Sequence, residues 1–314
     1  MNNCTICAII TFCLLALAAC SPRPEPLPPA PLPTVEAVQE DVPEYVAWLP
    51  VVVLPEPVRG LAYCCGALRP GEAARLGIEI WYNYGLNTPG RTLDNGAIYV
   101  PMFWCDKYPA LKYPTQVDYF QLLRHNLPPG YTGPLLFLNE PDLAGRDVDM
   151  GQCDRTPRQA AYIYKGILEL CPGCRLIGPA VSHEDYLADW PWMRAWYDEI
   201  YKLKLRPPDT AAIHTYLNEP PHLIINSLFD LLAAYPGAPT TAWITEFASC
   251  NPSQAARMIA YYERSDRVEK YFWFTGRGWP DACINLLSDD GRLTAAGEVY
   301  SGRGAPNAAP AAYP

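Results

Sequence analysis

Histidine is scarce in this chain: four in 314 residues, which leaves little room for a His-built metal centre. Positive charge is in the minority as well, 24 Lys+Arg against 33 Asp+Glu. A surface with that balance repels phosphate and argues against nucleic acid as a partner. Beyond the first twenty residues no run approaches the ~20 apolar residues that a membrane-spanning helix needs. No glycine-rich loop follows the first strand-like segment, so a phosphate cradle of the dinucleotide-binding kind is missing. Proline (35), cysteine (12), Trp (9) and Tyr (21) are plentiful instead. So many rings suit a protein that stacks sugars or other ligands, although many of them must fill the core.

The first twenty residues read as a targeting segment. An apolar run from Ala8 to Ala19 ends in Leu17-Ala18-Ala19-Cys20, followed by Ser21. This resembles the bacterial lipobox, in which the cysteine is lipidated and becomes the new N-terminus. The start, Met1-Asn2-Asn3-Cys4-Thr5, lacks the usual Lys or Arg; a plain secretory peptide or an uncleaved anchor is the alternative. Residues 21–33 are mostly proline and favour a stiff, extended tether. The expected organisation is a signal peptide over 1–19, lipidated Cys20 with a Pro-rich linker over 20–57, one domain over 58–301, and a disordered tail over 302–314. A lipid-anchored, extracytoplasmic protein follows, touching the membrane through Cys20 alone.

Within 58–301, short apolar runs alternate with amphipathic stretches. The periodicity predicts strands at 60–64, 77–83, 97–104, 134–139, 175–181, 210–216, 241–247 and 269–275. It predicts helices over 115–125, 185–203 and 222–235. Thr156-Pro157-Arg158-Gln159 reads as a capping box opening a helix through Leu170, and Asn251-Pro252 opens another. Eight strands with intervening helices predict an α/β fold, a single (β/α)₈ barrel. Catalytic groups of such barrels stand at the carboxyl ends of strands, here Asn83, Trp104, Asn139-Glu140, His214 with Tyr216, Glu246 and Trp273. Either glutamate alone reads equally well as half of a structural ion pair. Two of them, after the fourth and seventh strands, point to paired-carboxylate chemistry.

Eight segments carry a resemblance, in order along the domain. They are Val58-Arg59-Gly60-Leu61-Ala62-Tyr63, Trp81-Tyr82-Asn83-Tyr84, Tyr99-Val100-Pro101-Met102-Phe103-Trp104 and Phe137-Leu138-Asn139-Glu140-Pro141-Asp142. The rest are Ile177-Gly178-Pro179-Ala180, Ala212-Ile213-His214-Thr215-Tyr216, Trp243-Ile244-Thr245-Glu246-Phe247 and Tyr271-Phe272-Trp273-Phe274. The chain thereby resembles glycoside hydrolases of the retaining (β/α)₈ clan. More narrowly, it resembles the alkali-sensitive-linkage type glycosyl hydrolase catalytic core, glycoside hydrolase family 128, whose characterised members are endo-β-1,3-glucanases.

The resemblance implies Glu140 as acid/base, its proton held by burial and a neighbouring carboxylate, and Glu246 as the ionised nucleophile. It implies that Asn139 binds the sugar 2-hydroxyl. One of His214 and Tyr216 is expected to orient Glu246, and Trp273 to floor the cleavage subsite. Trp104, and less so Trp81, would stack neighbouring sugars, with Asn83 as a further substrate contact. A β-glucan is the expected partner of a monomeric enzyme that needs no cofactor and no metal. A glycan-binding lipoprotein on an inactive barrel, or an enzyme or transglycosylase acting on another β-glycan, are the alternatives. Glu219, in a second Asn-Glu-Pro string, reads as a loop residue facing solvent or a subsite.

Eight cysteines remain after Cys20, an even number that suits disulfides in an exported protein. Cys105, Cys153, Cys250 and Cys283 fall in loops after strands, where pairs 105–153 and 250–283 would frame a cleft. Cys171-Pro172-Gly173-Cys174, in a helix-to-strand turn, reads as a small structural disulfide rather than a redox centre. Cys64 and Cys65 read as an improbable pair of zinc ligands, because adjacent side chains diverge on a strand.

Overall fold

The computed structural model describes residues 58–87, 93–106, 119–143, 152–216 and 219–303. The targeting segment, Cys20, the linker and the tail beyond Arg303 lie outside them. The strands are β1 (Val58–Ala62), β2 (Ile80–Tyr82), β3 (Ile98–Tyr99), β4 (Met102–Phe103), β5 (Pro134–Phe137), β6 (Arg175–Val181), β7 (Thr210–Thr215), β8 (Ala242–Phe247) and β9 (Val268–Phe274). They form one parallel sheet in the order β3-β2-β1-β9-β8-β7-β6-β5-β4.

β3 and β4 stand at opposite ends of that order, yet only Val100 and Pro101 separate them in the chain. The Val100 N–H donates to Trp81 O on the β2 side (2.9 Å), and Pro101 O accepts from Leu136 N–H of β5 (3.0 Å). One extended segment, 98–103, therefore joins both edges and closes the sheet into a barrel. Pro101 has no N–H to give to a ladder, which accounts for the split of this third barrel strand into two pieces. β5 is then the fourth strand of the barrel, β8 the seventh and β9 the eighth. The (β/α)₈ expectation is met.

Helices α1 (Glu72–Leu76), α2 (Tyr119–Asn126), α3 (Pro157–Leu170), α4 (His183–Leu187), α5 (Pro191–Lys202), α6 (Pro221–Leu232), α7 (Pro252–Tyr262) and α8 (Ala295–Tyr300) alternate with the strands. Side chains inside the barrel and helices outside it bury both faces of the long strands, hence their unbroken apolar runs. The capping box at Thr156 and Gln159 forms, and Asn251 caps α7 by accepting from Ser253 N–H and Gln254 N–H. The single helix expected over 185–203 is two. Pro191 cannot continue a helix begun before it, and Asp189 and Trp190 take positive φ of 66° and 58°. The Asp185 carboxylate then caps the new start, accepting from Trp192 and Met193 N–H at 2.8 and 2.9 Å.

At the amino end of the barrel, Glu269 accepts from Trp243 Nε1 (2.9 Å) and Thr241 Oγ1 (2.5 Å) and pairs with Arg175. Burial pushes the Glu269 carboxyl up, but these donors outweigh it and hold the group below the ordinary glutamate value. This end is a plug of packed and paired side chains. The opposite end carries the chemistry.

Candidate active site

Glu140 follows β5 and Glu246 lies within β8, near its carboxyl end. Both are buried, at 8% and 6% exposure, and a carboxylate oxygen of each lies within 4.8 Å of the other. The Glu140 backbone takes φ +44° and is fixed by its N–H to Ala180 O (2.7 Å). Two residues on, Asp142 accepts from Ser182 N–H at the end of β6 (2.9 Å) and from the Ser182 hydroxyl. The loop bearing Glu140 is thus tied to the neighbouring strand at two points.

Fully buried His214 points Nδ1 between the carboxylates, 2.8 Å from Glu140 Oε1 and 3.5 Å from Glu246 Oε2. With both carboxylates ionised the two neighbours are acceptors, and Nδ1 then carries the hydrogen. Burial alone pushes the His214 pKa down, but the charges of Glu246 and Glu140 together push it above the ordinary value. Glu246 receives hydroxyl donors from Tyr216 (to Oε2, 2.5 Å) and Tyr84 (to Oε1, 2.7 Å). Tyr82 stands 3.4 Å from Oε1 but makes its shorter bond to Thr245 O, 2.8 Å. Burial and the charge of Glu140 raise Glu246 above the usual glutamate range, against the lowering by His214 and the tyrosines. Glu140 differs. Burial pushes it up, yet the hydrogen bonds from His214 and from Gln152 Nε2 (to Oε2, 2.5 Å) bring it below the ordinary value. The expectation that burial and a neighbouring carboxylate raise Glu140 is corrected: the cation beside it dominates.

The other anticipated residues separate into two groups. Asn139, next to Glu140 in the chain, is buried at 5% exposure, and its Oδ1 finds no hydrogen-bond partner among the described residues. Tyr216, rather than His214, makes the short contact to Glu246. Trp273, expected as a sugar floor, has no exposed surface; its ring packs on Phe247 and Tyr300, and its Nε1 donates to Ile284 O. The cause is strand alternation. Trp273 faces the helices, and Phe274 beside it turns to the mouth, where it meets Tyr216 and half-exposed Trp279. Trp81 and Trp104 are likewise buried, at 1% and 5%. Asn83 donates to Asn87 O and accepts from Gly85 N–H and Tyr99 OH, so its amide is engaged in organising its own loop. Glu219 is exposed.

Disulfides join Cys105–Cys153, Cys171–Cys174 and Cys250–Cys283, the pairs expected. Cys153 of the first pair follows Gln152, and its N–H donates to Asn139 O (2.8 Å), so the disulfide and this bond together hold the segment that brings Gln152 to Glu140. Cys64 and Cys65 are joined to each other, which leaves neither thiolate for a metal, although their side chains do not diverge as expected. The β1 ladder ends at Ala62, so these residues leave the strand geometry that would part their side chains.

Oxygens of Glu140 and Glu246 and a His214 nitrogen are close enough together to admit a cation, but hydrogens from Gln152, Tyr84 and Tyr216 already point at those oxygens. Cys250, Asp281 and Cys283 also cluster, with both sulfurs taken up in a disulfide.

A barrel with two close, buried carboxylates at the carboxyl ends of its fourth and seventh strands has the architecture of a glycoside hydrolase. The chain belongs to the glycosyl hydrolase catalytic core family, whose model matches residues 60–300. No curated protein matches the sequence. Solved structures do. An endo-β-1,3-glucanase of glycoside hydrolase family 128, subgroup II, from Pseudomonas viridiflava is 26% identical, with a TM-score of 0.57 over 78% of this chain and 98% of its own. A subgroup I endo-β-1,3-glucanase from Amycolatopsis mediterranei, in complex with laminaritriose, is 21% identical (TM-score 0.57; 79% and 99% covered). A curdlan-specific exo-β-1,3-glucanase of subgroup III from Blastomyces gilchristii, in complex with glucose, is 23% identical (TM-score 0.56; 78% and 97%).

Proposed function

We propose that this glycosyl hydrolase is an endo-β-1,3-glucanase of the alkali-sensitive-linkage type that cleaves with retention. The observation that carries the mechanism is the closeness of Glu140 and Glu246. Oxygens within 4.8 Å of each other favour the ~5–5.5 Å separation of retaining carboxyl pairs over the ~6.5–9.5 Å of inverting pairs. The substrate assignment is supported by the β-1,3-glucanases that share the fold.

In the first step a Glu246 oxygen attacks the anomeric carbon, the glycosidic bond breaks, and Glu140 gives a proton to the departing oxygen. In the second, water attacks that carbon as Glu140 takes the proton back, and the bond to Glu246 breaks. Tyr84 and Tyr216 hold Glu246 ionised and aimed. Asn139 offers its unpartnered oxygen to the 2-hydroxyl, a contact that strengthens in the transition state. His214 explains how Glu140 carries a proton despite its lowered pKa. Two carboxylates around an imidazolium hold the same net charge as a protonated Glu140, a neutral His214 and an ionised Glu246. One proton moved along the 2.8 Å Nδ1–Oε1 bond interconverts them.

We further read Cys20 as a lipid attachment point that tethers a monomeric enzyme outside the cytoplasm; radiolabelled palmitate retained by the wild type and lost from Cys20→Ala tests it. For the activity, the protein is incubated with β-1,3-glucan, β-1,4-glucan, mannan and xylan. Short oligosaccharides released from β-1,3-glucan alone are expected. Release from another polymer only, or glucose as the sole product, contradicts the assignment.

A further inference from the structure

The Cys64–Cys65 disulfide has no use as a staple. Chain-entropy stabilisation grows with the loop a disulfide closes, and this one joins neighbours, against separations of 48 and 33 for Cys105–Cys153 and Cys250–Cys283. What it makes is a compact, rigid, polarisable plate of two sulfurs and two methylenes. Both cysteines are half-exposed, just past the carboxyl end of β1, which is the catalytic face.

Its neighbours place it. β1 pairs with β2, whose end bears Tyr82 and Tyr84, and with β9, whose end bears Phe274. Gly66 N–H donates to Arg277 O (3.0 Å), and a Cβ on Gly278 (φ +78°) would lie 2.9 Å from Gly66 N. The two loops press together because both residues are glycine; a Cβ on Gly278 would also lie 3.8 Å from Cys65 Cβ, and Trp279 is the next residue in the chain. Asn285 clamps Trp279 from both sides, accepting from its N–H and donating to its O. Only β9 separates β1 from β8, so the plate lies ~10 Å round the barrel from the strand of Glu246. Glu140 is on the other side of Glu246. In the mechanism proposed above, Glu140 serves the leaving group and Glu246 holds the glycone, so the plate is on the glycone side.

We infer that Cys64–Cys65, with Trp279 as its adjoining wall, is the floor of a glycone subsite that packs the C–H face of a pyranose unit. The inference rests on the glycoside hydrolase reading but not on the identity of the polymer.

The test uses the full chain silenced by Glu246→Gln and titrated with laminarihexaose by calorimetry. Cys64→Ala/Cys65→Ala in that background is expected to weaken binding about fivefold, the size of one platform contact. Trp279→Ala is expected to weaken it at least as much. Unchanged affinity in a folded double-alanine protein overturns the plate and leaves the β-1,3-glucan reading standing. If laminarihexaose does not bind, cellohexaose, xylohexaose and mannohexaose are titrated in turn. A fivefold loss with one of these keeps the plate and overturns the polymer assignment, and no binding of any hexaose overturns both. Should the double variant fail to fold, the silenced protein with native cysteines is given limiting reductant and alkylated with and without the hexaose that binds it. Slower labelling of Cys64 and Cys65 with sugar bound supports the subsite, and unchanged labelling overturns it.

Discussion

Removing the Tyr216 hydroxyl probes the part of the site most sharply defined by geometry. Glu246 must be ionised to attack carbon, and burial together with the charge of Glu140 works against that. The opposing donors are Tyr216 at 2.5 Å and Tyr84 at 2.7 Å. A hydrogen bond to a charged group is worth about 1.5–3 kcal/mol, and 1.36 kcal/mol corresponds to one pH unit. Tyr216→Phe takes away a donor that favours the ionised form, so the pKa of Glu246 rises. The acid limb of the kcat/KM profile then moves up by about 1–2 pH units. Tyr84→Phe moves it comparably. Tyr82→Phe moves it less, because that hydroxyl is committed to Thr245 O and stands 3.4 Å from the carboxylate. The assay is the initial rate of reducing-end release from soluble β-1,3-glucan across pH at low substrate. An acid limb unmoved in both Tyr216→Phe and Tyr84→Phe, or one moved to lower pH, refutes the reasoning.

Glu140→Gln should slow polysaccharide cleavage by about 10²–10⁴ while sparing aryl glycosides with good leaving groups; equal losses on both substrates count against its acid role. Replacing Cys105 and Cys153 by serine should reduce stability by up to about 4 kcal/mol on the chain-entropy model, for a separation of 48 residues. The same change should lower kcat by freeing Gln152 from Glu140; denaturant melts and steady-state rates check the two effects, and full activity would dismiss the positioning role. Burial raises Asp142 from 3.8 to about 6, so the fold holds this proton more tightly than the unfolded chain does. The stability linked to it is complete below pH 3.8 and is lost as pH rises towards 6. Asp142→Asn should therefore gain on the wild type by up to about 3 kcal/mol between pH 4 and pH 7. Denaturant melts across pH read this directly, and a difference independent of pH contradicts it.

The barrel was legible because its signals are local. Apolar runs marked the strands, and Thr156 and Asn251 marked helix starts through capping chemistry that needs only residues three apart. Glu140 and Glu246 were legible for a related reason: an acid at the end of an apolar strand is costly unless used. What escaped depends on direction or on distance in the chain. Trp273 and Phe274 are neighbours in one apolar strand, and only the barrel's handing of alternate residues inward and outward decides which meets the mouth. Tyr84 sits one residue beyond Asn83, and the loop that aims its hydroxyl at Glu246 also consumes the Asn83 amide. Gln152 carries no local mark at all; it reaches Glu140, 12 residues away in the chain, beside a cysteine bonded to distant Cys105. His214 was placed near the right partners, but its preference for Glu140 over Glu246, 2.8 against 3.5 Å, is a matter of tertiary geometry.

The central claim is that Glu246 forms a glycosyl-enzyme and that the anomeric centre inverts twice. Proton NMR of laminarihexaose during the first minutes of cleavage tests it most directly. Retention predicts that the new reducing ends appear first as the β-anomer, with the α-anomer growing only as mutarotation proceeds. The α-anomer appearing first would contradict the account and leave the close carboxylate pair without its explanation.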